Sequence, residues 1–197
     1  MTAALPTAGT KSTRLAAVDD IGYGADLLAS TPTHEGRDRA LLRRWASVAT
    51  EFGSTMEPLE CRARVVESSG GLALGLLARY HSRPVPTVEL FTDTIALAEE
   101  TIDAHGWRHW YPAGSVRAAA LAHEAVHERL HHGPAKRELK HALDHVVLRL
   151  GRRRVYGHVA GAEEIAAHAY ARTACGLGRS PLLLTAALVA ATSGKEN

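Results

Sequence analysis

The chain has 197 residues, of which 46% are hydrophobic and 22% charged, with a formal net charge of +2. That length and balance fit one domain, or one domain with tails, that buries a core, and they exclude wholesale disorder. The charge offers no global attraction to nucleic acid, and no apolar run is long enough to span a bilayer. The expectation is a soluble, cytoplasmic protein with neither membrane nor nucleic acid as partner. Cys61 and Cys175 form no disulfide framework, and each reads as a small buried hydrophobe in an apolar stretch. Histidine stands out, with 12 residues, most of them after His105.

Residues 1–33 carry no continuous apolar core, end in Thr31-Pro32-Thr33 and read as a flexible leader. Residues 34–197 then form a single domain. From Asp38 to Phe52, Leu41, Trp45, Val48 and Phe52 recur at helical spacing, and Gly53 closes the segment. Cys61–Glu67 and Leu74–His81 read as strands joined in a hairpin through Ser68-Ser69-Gly70-Gly71. Beyond Pro84 and Pro86, Val88–Phe91 reads as a third strand. A helix over Asp93–Ala104 turns Ile95, Ala98 and Ile102 inward.

The second half reads as helical. Ser115 is the expected N-cap of a helix running to His132, and Gly133-Pro134 is a stop and restart. Leu139, Leu143, Val146 and Leu150 give an amphipathic helix over Pro134–Leu150, ended by Gly151. Arg152-Arg153-Arg154 reads as a solvated turn. A helix follows over Ala162–Cys175, and Ser180-Pro181 opens a last apolar one. The order predicts an α+β fold, with a small antiparallel or mixed three-stranded sheet on a helical C-terminal half.

The chemistry concentrates in Ala122-His123-Glu124-Ala125-Val126-His127, an HExxH motif inside an apolar helix. Four residues make just over one helical turn, so His123 and His127 project from one face and can grip one ion. Glu124 lies beside them in angle and can take a proton from a zinc-bound water whose pKa the metal lowers towards ~7. The expected cofactor is therefore Zn2+, with Glu124 as general base in attack on a peptide or other small amide or acyl carbonyl. A catalytic zinc needs a third protein ligand. The metzincin continuation fails, because Leu130 and Gly133 stand where its glycine and histidine would be. His131 and His132 read as helix-end residues favourable to the macrodipole.

Downstream, Ala162-Glu163-Glu164-Ile165-Ala166-Ala167-His168-Ala169-Tyr170 is a small-residue helix with two carboxylates. With HExxH before it, this segment resembles the gluzincin metallopeptidases, especially the minimal ImmA/IrrE type. The resemblance spans about Cys61 to Cys175 and implies a zincin-like fold whose later helix supplies a glutamate as third ligand. Glu163 and Glu164 compete for that role. Glu164 is favoured, because one turn beyond it lies His168, where the family places a polar supporting residue. His168 and Tyr170, with His158 and Tyr156, are candidate donors to the oxyanion by proximity in sequence. Trp107-Arg108-His109-Trp110-Tyr111 reads as a packed aromatic lid.

Two other readings compete. A di-metal carboxylate bundle would use Glu124/His127 and Glu138/His141 as Glu-x-x-His pairs, with Glu99 or Glu100 and Glu164. A non-enzymatic partner-binding protein could retain the fold and its metal.

Overall fold

The computed structural model describes residues 8–131 and 133–193. It opens on helices α1 (Ala8–Ala17) and α2 (Asp20–Ala29), where a leader was expected. The Asp19 carboxylate caps α2 by accepting the Gly22 N–H. Gly24, Ala25 and Leu28 are buried, and a Cβ on Gly24 would lie 3.0 Å from that of Ala46 and 3.3 Å from Ile165. Small residues thus give α2 a close contact that hydropathy alone understates. The start of α2 is also held electrostatically. Asp20, only 12% exposed, pairs with Arg172 at 2.9 Å and Arg179 at 3.1 Å, and accepts the Ser180 N–H.

Helix α3 (Arg39–Ser54) forms where the periodicity predicts and Asp38 caps it, but its buried stripe is Leu42, Trp45, Ala46 and Ala49, with the expected Leu41, Val48 and Phe52 only partly buried. It packs on α8 (Ala162–Ala174) at very short range. A Cβ on Gly53 would stand 2.0 Å from the Ala166 carbonyl oxygen, so no side chain larger than hydrogen fits there. The alanines of α8 permit the same approach from the other side.

Strands β1 (Arg64–Ser68), β2 (Ala78–His81) and β3 (Thr87–Phe91) form a mixed sheet in the order β1-β3-β2. Strand β3 is central, parallel to β1 and antiparallel to β2. The expected hairpin between the first two strands is not formed. Gly70, at φ 100°, starts a short helical turn, α4 (Gly71–Leu74), which carries the chain across so that β2 joins the far edge of β3. Gly71 is pressed against this crossing, where an added Cβ would fall 2.3 Å from Phe91 Cβ. The Gly-Gly pair therefore serves a crossover, and not a two-residue turn. Val88 and Leu90 of β3 are buried together with Ala120 beneath the sheet.

Helix α5 (Thr92–His105) follows directly, and α6 (Ser115–His131) carries the HExxH motif. Ser115 begins α6, but its hydroxyl makes no capping bond. His132 lies outside the described residues. Helix α7 (Ala135–Leu143) is shorter than the amphipathic pattern suggested. Asp144 adopts φ 47° and ends it, and β4 (Val146–Leu150) pairs antiparallel with β5 (Arg153–Tyr156). Leu143, Val146 and Leu150 suit a helical stripe, yet the left-handed turn at Asp144 and the β-branched Val146-Val147 favour a strand. Arg153 and Arg154 accordingly lie in a strand and not in a turn. The last helix, α9 (Pro181–Ser193), is capped by Ser180, whose hydroxyl accepts the Leu182 N–H at 3.3 Å.

The architecture is α+β, a three-stranded sheet with a helical C-terminal region. One apolar cluster gathers around Trp45, Leu130 and Ile165, and a second around Ile102, Trp107 and Leu183. Among the described residues no helix is long and apolar enough to cross a membrane.

Candidate metal centre

Helices α6 and α8 pack against each other, and their polar residues meet in this otherwise apolar contact. His123 and His127, one turn apart on α6, bring their Nε2 atoms to 2.9 Å. Glu164 on α8 reaches across, with carboxylate oxygens 3.3 Å from His123 Nε2 and 3.1 Å from His127 Nε2. Among the described residues, these three form the one group placed to hold a metal ion. The spacing can be tested against coordination geometry. Bonds of ~2.0–2.1 Å in a tetrahedron put neighbouring ligand atoms about 3.3 Å apart. The observed triangle is slightly tighter than that, and its donors, two imidazoles and a carboxylate, suit a divalent ion such as zinc.

Glu163 is directed elsewhere. Its carboxylate pairs with Lys136 Nζ at 3.0 Å and lies 3.8 Å from His158 Nδ1. Glu124 is 6% exposed on the same helix as the histidines, and with His123 it lines two adjoining cavities, His127 lining one of them.

The electrostatics follow from this crowding. Burial raises the Glu164 carboxyl, but hydrogen bonds from His123 and His127 outweigh it and hold the group far below the usual carboxylate range. Burial lowers His127, yet the hydrogen bond and charge of Glu164, with Glu124 and Glu163 beyond, leave it raised overall. The His168 ring lies tilted at 59° against His123 with centroids 4.4 Å apart, and burial pushes it well below the ordinary histidine value. Burial thus favours its neutral imidazole form. The Nδ1 atoms of His123 and His168 are both buried without a hydrogen-bond partner.

Several residues suggested by the sequence stand apart. Tyr170, expected as an oxyanion donor, lies in the Trp45 core with its hydroxyl accepting the Leu59 N–H at 2.6 Å. Its position one turn past Ala166 turns it towards α3. Tyr156 packs at a tilt against His141, with ring centroids 4.3 Å apart, and His158 is on the Glu163 side. Glu99 is ion-paired with Arg108, and His141 and Glu138 are not part of the metal-binding group, so the di-metal arrangement does not assemble. Trp107 and Tyr111 are buried as a packed cluster, with the Tyr111 hydroxyl donating to the Ser180 carbonyl at 2.7 Å. His131 faces Tyr80 edge-on at 6.4 Å and lines the polar side of the cleft.

The cluster sits where two cavities meet. One, of about 340 Å³, is polar and is lined by Arg79, His131, Lys136 and Glu163. The other, of about 210 Å³, runs under α9 and is lined mainly by leucines, alanines and valines. His123, Glu124 and Glu164 belong to both walls. Lys136 had no distinguishing signal in the sequence. It matters because it occupies Glu163 and leaves Glu164 to the histidines.

Comparison of the chain with protein-family models, with curated proteins and with solved structures finds no match. What the fold and site define is a class, an α+β protein with a His-His-Glu group able to hold a divalent metal.

Proposed function

We propose that this chain is a zinc-dependent hydrolase of the metallopeptidase type, with a zincin-like fold and a gluzincin-like ligand set. The observation that carries this reading is the triangle of His123, His127 and Glu164 donor atoms, 2.9–3.3 Å on a side, with Glu124 on the same buried face. Zinc bound there supplies Lewis acidity, polarising a carbonyl and bringing the pKa of water towards ~7. His123, His127 and Glu164 hold that position through a pair of neutral imidazole nitrogens and one carboxylate. Glu124 accepts the proton of the attacking water and later delivers it to the leaving amine or alcohol. His168, buried against His123, is the proposed hydrogen-bond donor to the oxygen on which charge develops.

Glu124→Gln keeps the size of the side chain and removes the base. The variant should retain zinc, measured by elemental analysis, while turnover of peptide, amide or ester probes falls by several orders of magnitude. Equal turnover in the variant and the parent overturns the assignment of Glu124. Bound zinc with no turnover in the parent supports instead a partner-binding protein that keeps its metal.

A further inference from the structure

The two cavities that meet at the metal-binding group differ in chemistry, and the difference bears on what the site accepts. On one side, Arg79, Lys136, Glu163 and His131 present charge and hydrogen-bonding capacity. On the other, Leu97 of α5, Val116, Ala119 and Ala120 of α6, and Leu184 and Leu188 of α9 enclose the 210 Å³ space. Leu72, 45% exposed on α4, stands in the same wall and carries the apolar surface outwards. Two hydroxyls interrupt this lining. Thr94 Oγ1 and Ser115 Oγ are buried with no hydrogen-bond partner, and Thr94 is only 4% exposed.

We infer that the site selects substrates carrying a bulky apolar group, an alkyl chain or aromatic ring, on one side of the scissile carbonyl. That group occupies the α5–α6–α9 cavity, and the polar remainder of the substrate faces Arg79 and Lys136. The inference rests on the metal-centre reading above and adds the substrate class. An apolar cavity of ~150 Å³ holds a benzene molecule, so 210 Å³ takes a group of about six to eight carbons.

Simple hydroxamates separate the metal from the cavity, because the hydroxamate head binds zinc whatever its tail. Zinc-loaded protein is titrated calorimetrically with acetohydroxamate, butanohydroxamate, hexanohydroxamate and octanohydroxamate. Kd should fall about three- to fourfold for each added methylene until the cavity is full. Ala119→Leu narrows the cavity and changes none of the metal-binding residues. It should weaken octanohydroxamate by about tenfold or more and leave acetohydroxamate and zinc content unchanged. Should that variant fail to fold, Leu188→Phe makes the same test from the α9 wall. A parent that holds zinc and binds acetohydroxamate, but holds octanohydroxamate no tighter, overturns the inference alone. So does a folded filling variant that binds octanohydroxamate as the parent does. A parent that retains neither zinc nor acetohydroxamate overturns the metal-centre reading and the inference with it.

Discussion

Glu163 and Glu164 are adjacent on one helix and leave it about 100° apart, and their carboxylates take different partners. The choice is made by neighbours. Lys136 holds Glu163 at 3.0 Å, and α8 approaches α6 closely enough for Glu164 to reach both Nε2 atoms. Glu164→Ala, His123→Ala and His127→Ala should therefore each abolish retention of zinc through dialysis, whereas Glu163→Ala should leave it near one per chain. Loss of zinc from the Glu163 variant, with Glu164→Ala still loaded, would reverse the assignment. The HExxH half of this site was legible in the sequence, because its spacing and the helix period settle the geometry locally. The third ligand was legible only as a choice between neighbours, since what separates them is a lysine contributed by α7. Tyr170 was misread for a related reason. Sequence proximity to Glu164 does not fix the angle at which a side chain leaves the helix, and this one leaves towards α3.

Among the elements, the contact between α3 and α8 is set by glycine. With the Ala166 carbonyl oxygen 2.0 Å from the place of a Cβ, Gly53→Ala must push the helices apart. Overpacking of this kind costs about 1–3 kcal/mol or more, and a drop in Tm of several degrees is expected. An unchanged Tm would show that the close approach is not as described. The connection between β1 and β2 depends on a carboxylate. Asp93 accepts the N–H groups of Gly70, Gly71 and Leu72 at 2.9, 3.2 and 3.3 Å and so ties α4, one wall of the apolar cavity, to the start of α5. Desolvation raises the Asp93 carboxyl, but these backbone donors together prevail and lower it. A lowered carboxylate contributes its stabilisation above the ordinary aspartate value of about 3.9 and loses it as pH falls through the lowered one. The Gly70–Leu72 amide resonances should thus be unchanged from neutral pH down to that value and shift together below it. Asp93→Ala should place them in the released position at every pH. A variant whose amides match those of the parent at neutral pH would rule the tie out.

For the molecule as a whole, helix α2, within the segment read as a leader, joins the core. Ala25 and Leu28 are fully buried, and Asp20 joins α2 to Arg172 and Arg179 at the α8–α9 junction. Deleting residues 1–33 removes core surface and leaves two arginines without their partner, so the truncated chain should lose its cooperative thermal transition. A truncated chain that melts as the parent does would restore the leader reading.

The sequence by itself determined what local periodicity controls. It determined α3, α5, the HExxH helix, the small-residue helix α8, the last apolar helix, and the projection of two histidines and a glutamate from one face. Only the tertiary structure decided the rest. The order β1-β3-β2, the change from helix to strand after Asp144 and the burial of α2 all depend on partners distant in the chain, and short apolar segments fit either periodicity until those partners are known. The same holds for the site. Helix spacing can align two histidines, but the approach of Glu164, the burial of His168 and the apolar cavity under α9 exist only where separate helices are packed together.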